Sequence, residues 1–145
     1  MSNYDITLKN FEEYVSTGGY NTVAKTLDTP QTQGFLCELL TEYASFFLKI
    51  RLDGTLGFAM LDVYPGITIP PWDYPAAAQY IAEKNAEKKV GSLQICPQHG
   101  DLYYHVESSF LSSPLTGMDL MAMEDIAVSS LLSCREDLFR MGQAR

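Results

Sequence analysis

Positive charge is scarce in this chain: ten Lys and Arg stand against 18 Asp and Glu, a net charge of −8 at pH 7. A phosphate backbone is repelled by such a chain unless its cations gather on one face, and the densest group, Lys84, Lys88 and Lys89, is interleaved with Glu83 and Glu87. The charge balance therefore argues against nucleic acid as a partner, and against an anionic membrane surface. Long hydrophobic runs are missing too, since no stretch approaches the roughly 20 apolar residues of a membrane span. "MSNYDITLKNFEEYV" has neither a basic n-region nor an apolar h-region, so the cytoplasm is the expected address. Cys37, Cys96 and Cys134 are odd in number, far apart and without a C-x-x-C pair, and read as reduced thiols. Two of them, Cys37 and Cys134, lie in apolar or helical runs, where a thiol usually packs.

Catalytic signatures are equally sparse. There is no G-x-S-x-G and no glycine-rich phosphate loop, so nucleophilic hydrolysis and nucleotide binding lack their usual marks. His99 and His105 are the only histidines, and Cys96, His99 and Asp101 lack the tight paired spacing of a zinc site. The pairs Glu12–Glu13, Glu124–Asp125 and Glu136–Asp137 are neighbours that point apart on a helix, which suits a solvated face better than a convergent acid–base pair. No enzyme, cofactor or metal is expected on these grounds.

What is present is material for a core: 46% apolar residues, nine Tyr and seven Phe in 145 residues, a length that fits one compact domain spanning 1–145. Tyr4, Leu8, Phe11 and Val15 share one helical face, which Gly18 and Gly19 then end. Residues 20–33, rich in Thr, Asn and Gln around Pro30, read as a loop with at most one helical turn. "FLCELLTE", residues 35–42, reads as a strand or a short helix. Phe46, Leu48, Ile50 and Leu52 then alternate with polar residues, "DG" follows, and Leu56, Phe58 and Met60 alternate again. A three-residue turn of Leu52, Asp53 and Gly54, with Gly54 left-handed, would pair Ile50 with Leu56, Leu48 with Phe58 and Phe46 with Met60, making one apolar face.

Pro65, Pro70 and Pro71 call for an extended loop, and Pro75 suits the start of a helix carrying Ala77, Tyr80, Ile81 and Lys84 on one face, with Lys88 and Lys89 in its last turn. Strands "SLQIC" and "LYYHVE" follow, the second with Leu102, Tyr104 and Val106 on one face. Thr116 opens a helical region to about Met141 with a break near Ser133. The expectation is an α+β domain: one antiparallel sheet of about five strands covered by helices, in the order α-β-β(-β)-α-β-β-α.

The Pro-led helix "PAAAQYIAEKN" ending in Asn85, Gly91 before "SLQI", the strand "GDLYYHVE", the helix "PLTGMDLMAMEDIAVSSLL" and the closing "LFRMG" with Gly142 resemble the YbjN-like family. That family holds proposed bacterial sensory transduction regulators and shares a fold with type III secretion chaperones. Asn85 and Gly91 read as architecture within it: the amide can bond backbone that regular structure leaves unpaired, and the glycine lets the chain turn sharply.

Apolar surface is the remaining signal. The second face of the sheet is expected to carry Phe47, Ala59, Leu61 and Tyr103 between Lys49, Arg51 and His105, a mixture that suits partner contact, although such stripes are more often core. Met118, Met121 and Met123 could add a compliant helical surface. Trp72 in "PPWDY" is either a contact residue or a loop anchor in the core, the usual burial of Trp favouring the anchor. The resemblance implies a non-enzymatic binding module, chaperone-like or regulatory and homodimeric, with a protein partner. The alternatives are a small-ligand or enzymatic domain with a pocket between "IPPWDY" and the sheet, lined by Trp72 and Tyr104, or a structural subunit of a larger complex.

Overall fold

The computed structural model describes residues 1–141 apart from 22, 30, 43, 88 and 89. Its elements run α1 (Asn3–Thr17), β1 (Val23–Thr29), β2 (Thr32–Leu40), β3 (Ser45–Asp53), β4 (Phe58–Tyr64), a 3-10 turn (Pro71–Asp73), α2 (Tyr74–Glu87), β5 (Ser92–Ile95), β6 (Leu102–Ser109), α3 (Gly117–Ser133) and α4 (Arg135–Met141). The fold is α+β, with one antiparallel sheet in the order β1-β2-β3-β4-β6-β5. Two helices begin with reciprocal caps: Ser2 Oγ accepts the Asp5 N–H at 3.1 Å while the Asp5 carboxylate accepts the Ser2 N–H at 3.2 Å, and Thr116 and Asp119 repeat the device at α3. Helices α1, α2 and α3 pack on one face of the sheet, over Leu48, Ile50 and Leu52 of β3, Ala59, Leu61 and Val63 of β4, and Leu102, Tyr104 and Val106 of β6.

The sheet has six strands rather than about five, because residues 23–29 form a strand and not a loop. β1 pairs with β2 from Val23↔Cys37 to Thr29↔Thr32. An edge strand needs one neighbour and tolerates polar residues, so a Thr-rich segment with β-branched Val23, Thr26 and Thr29 suffices. Its Lys25 reaches Glu12 of α1 at 3.1 Å. Pro30, Lys88, Lys89 and Gly142 lie outside the described residues.

The β3–β4 register also differs from the expected one. Leu52 faces Ala59 and Asp53 faces Phe58, so the loop is the four residues Gly54–Gly57. Asp53 Oδ1 accepts the N–H groups of Thr55 and Leu56, both at 2.9 Å, and the Gly57 N–H donates to the Asp53 carbonyl at 2.8 Å. The left-handed residue is Gly57, at φ +79°, not Gly54. Gly54 instead donates its N–H to the Gln31 carbonyl at 2.6 Å. One more residue in the turn reverses the parity of β4: Ala59, Leu61 and Val63 face the core, and Leu56 is exposed.

Asn85, in the last turn of α2, holds β5 by its backbone. Its Nδ2 donates to the Leu93 carbonyl at 3.0 Å, and its Oδ1 accepts the Leu93 N–H at 2.7 Å. Gly91 sits at φ +77°, where an added Cβ would lie 2.6 Å from the His105 carbonyl oxygen.

Candidate binding face

With α1, α2 and α3 on one side, the other face of the sheet is left open, and the strand registers arrange it in rows. Phe47, Tyr64, Tyr103 and Gln94 form one row, Lys49, Asp62 and His105 the next, and Arg51, Met60 and Glu107 a third. In the first row the ring centroids of Phe47 and Tyr64 are 6.1 Å apart and those of Tyr64 and Tyr103 5.1 Å apart, within the range of favourable aromatic pairs. The Tyr103 hydroxyl donates to Gln94 Oε1 at 2.8 Å. Burial, then the nearby Asp62 charge, pushes the Tyr64 phenol up to about 12, so it remains a donor at neutral pH.

Charge in the neighbouring rows is unevenly satisfied. His105 Nδ1 lies 2.5 Å from Asp62 Oδ1, and Nε2 lies 3.7 Å from Glu107. The hydrogen bond to Asp62 raises the imidazole pKa against the opposing effect of burial. Lys49 and Arg51 form no ion pair among the described residues; one Arg51 guanidinium nitrogen lies 3.5 Å from Met60 Sδ.

These two cations line a hollow of about 630 Å³, floored also by Phe47 and Tyr64 and walled by Thr26 and Leu36 on one side and Cys96, His99 and Asp101 on the other. The hollow exists partly because Gly34 stands between Thr26 and Arg51 in the third row. An added Cβ there would lie 2.2 Å from the Ile50 carbonyl oxygen, so only glycine lets β2 approach β3 this closely. The far wall is stitched by the Thr68 hydroxyl donating to Asp101 Oδ1 at 2.9 Å and the Ile69 N–H donating to the Gly100 carbonyl at 2.8 Å. Among the described residues, no three His, Cys, Asp or Glu side chains converge as a metal site would require. The Cys37 thiol is pushed up to about 11 by burial and then by Glu124, far from the thiolate that reactive cysteines need.

Of the residues singled out in the sequence, Phe47, 41% exposed, and Tyr103 share the open face, joined through Tyr64. Leu61, at 0% exposure, belongs to the core, as does Ala59, a direct result of the reversed β4 parity. Trp72 is 77% exposed on the 3-10 turn and anchors no core; the short turn lifts it outward between Pro71 and Asp73. Tyr104 is buried and donates its hydroxyl to the Val90 carbonyl at 2.8 Å, so the hollow lies on the opposite face from Tyr104 and does not include Trp72. Met118 is exposed in the first turn of α3, Met121 half-buried and Met123 buried, all outside the hollow. Sequence reasoning missed Tyr64 and Asp62, whose place follows once β4 is extended to Tyr64.

This topology and its one-sided helical cover have a solved counterpart: the crystal structure of YbjN from E. coli, a candidate transcription regulator, superposes with a TM-score of 0.55 over 90% of this chain and 92% of that one. The chain has the YbjN fold. The likeness to YbjN is one of fold, at 12% sequence identity. No family model and no curated protein matches the chain. Among the described residues, no helix is long and apolar enough to cross a membrane.

Proposed function

We propose that this protein is a non-enzymatic binding module, chaperone-like or regulatory, that holds a segment of a partner protein on the open face of its sheet. The observation that carries this reading is the uncovered aromatic row Phe47–Tyr64–Tyr103 beside the hollow. Tyr, Phe and Arg are the residues that concentrate at protein interfaces, and a large side chain in a pocket is the usual energetic centre of one. The regulator role named for YbjN agrees with action through a partner, and the net charge of −8 makes that partner a protein rather than DNA. A cytoplasmic homodimer is the form proposed, the free cysteines suiting a reducing compartment.

The test places a photo-reactive side chain at position 47, 103, 72 or 118 and irradiates the tagged protein in lysate of its host. Positions 47 and 103 are expected to label the same protein, while 72 and 118 label none. Labelling from 72 or 118 alone would move the surface to the helical side, and labelling from no position would refute the reading. Light scattering of the pure protein should report twice the 16.2 kDa chain mass. A second reading, a small ligand, rests on the volume of the hollow, which falls within the roughly 300–1,000 Å³ of small-molecule sites. A dominant low-mass species released on denaturation would support it.

A further inference from the structure

From the charge and spacing of the open face we infer that its occupant is an extended peptide segment with two carboxylates, two residues apart, followed two residues later by an aromatic or large apolar side chain. This deepens the reading of the open face as a protein-binding surface and rests on it. The first support is charge. Lys25, Lys84 and Arg140 are matched by Glu12, Glu87 and Asp137, and Arg135 lies over the Phe139 ring at 5.4 Å. Lys9, Lys49 and Arg51 have no such partner among the described residues, and of these Lys49 and Arg51 line the same hollow. Asp62, the carboxylate beside Lys49 in its row, is taken by His105 at 2.5 Å. In a chain of net −8, two adjacent cations left unmatched in a concavity are complementary to an incoming anion.

The second support is spacing. Arg51, Lys49 and Phe47 follow one another at two-residue steps along one face of β3, about 6.6–6.8 Å per step in a strand. An extended segment lying along β3 has the same repeat, so carboxylates at its first and third residues meet Arg51 and Lys49 while the side chain of its fifth reaches Phe47 and Tyr64. Negative groups bound the acidic stretch. Glu38 is the cross-strand partner of Phe47 on β2, and it would repel a third carboxylate at the fifth position. Asp101 on the far wall, already held by Thr68, does the same at the hollow's rim.

The experiment uses the full chain and three fluorescein-labelled hexapeptides: Glu-Ser-Glu-Thr-Phe-Val, the same peptide with both Glu replaced by Gln, and the same peptide with Phe replaced by Ser. Anisotropy titrations at low and at physiological salt should show the first binding about tenfold more tightly than either other, the scale of two partly exposed charge-assisted contacts or one aromatic anchor. Its advantage over the Gln peptide should shrink with salt. Lys49→Gln combined with Arg51→Gln should erase that advantage, with an unchanged circular dichroism spectrum and melting curve. Equal binding of the Glu and Gln peptides overturns the inference while leaving the open face a peptide site. No binding of any peptide overturns it as well, and crosslinking from positions 47 and 103 then decides separately whether the face binds protein. Complete displacement of the peptide by succinate at comparable affinity would assign the cations to a small dicarboxylate. A halved mass of the double variant in light scattering would assign the face to a second copy of the chain. Either result overturns the inference.

Discussion

Replacing Asn85 with Ala removes both hydrogen bonds that α2 makes to the backbone of Leu93 and leaves an N–H and a carbonyl of β5 without them. Each neutral bond contributes about 0.5–1.5 kcal/mol net, and both backbone groups are half-buried enough that water restores only part of the loss. The expected cost is about 2 kcal/mol. Unfolding entropy is about 2.1 cal/mol/K per residue, or about 0.3 kcal/mol/K for this chain, so the melting temperature should fall by about 7 °C. Asn85→Asp keeps an acceptor for the Leu93 N–H but offers nothing to its carbonyl, and should fall between Ala and the parent. Differential scanning calorimetry with urea unfolding reads both variants, and peptide binding at the open face should be unaffected. An Asn85→Ala protein that melts within about 1 °C of the parent would refute the clasp as a source of stability.

Leu61→Ala should cost about 2–5 kcal/mol in urea unfolding and Phe47→Ala under about 1, because one side chain is enclosed and the other faces solvent. Gly57→Ala should destabilise by about 1–2 kcal/mol through its left-handed backbone and a Cβ 2.3 Å from Leu111 Cδ2, and by more than Gly54→Ala, whose added Cβ meets the Tyr4 ring at 3.2 Å. Glu124 is half-buried, with the Tyr20 hydroxyl donating to it, and desolvation raises its pKa above the usual carboxylate value. Its contribution to stability is present below its unfolded pKa and lost as pH rises through the raised folded one. Stability curves of the parent and Glu124→Gln should therefore diverge in favour of Gln as pH rises across that window, and parallel curves would exclude ionisation of Glu124 as a cost.

The elements easiest to foresee were those whose pattern has one interpretation. β6 alternates Leu102, Tyr104 and Val106 against Tyr103, His105 and Glu107, and α3 opens at Thr116 with Asp119 three residues on. β4 was ambiguous because "FAMLDV" is apolar on both parities, and a window ending at Met60 selects the wrong one. Asp62 resolves it: this carboxylate shares a parity with Leu56, Phe58 and Met60, whereas Ala59, Leu61 and Val63 are uninterrupted. The turn length is set locally, by Asp53 holding the Thr55 and Leu56 N–H groups and by left-handed Gly57, and "DG" alone does not encode it. β1 escaped notice because an edge strand has no apolar alternation to display, and Trp72 because a residue's average burial says little about one site. The site was half-legible for the same reason as β4: Phe47 and Tyr103 sit on strands whose inward and outward parities were read correctly, and Tyr64, which links them, on the strand whose parity was not.

The helices cover one side of the sheet, so under the proposed function stability and recognition reside in different sets of side chains. On that reading, substitutions among Phe47, Lys49, Arg51, Tyr64 and Tyr103 alter what the proposed face meets at little cost to whether the chain folds, since their neighbours along each strand point the other way into the core. Such a scaffold can change its partner by small steps without passing through an unfolded intermediate sequence. If the proposed face is the binding surface, two chains of this architecture keep the same skeleton and differ in what they meet through three short rows of residues.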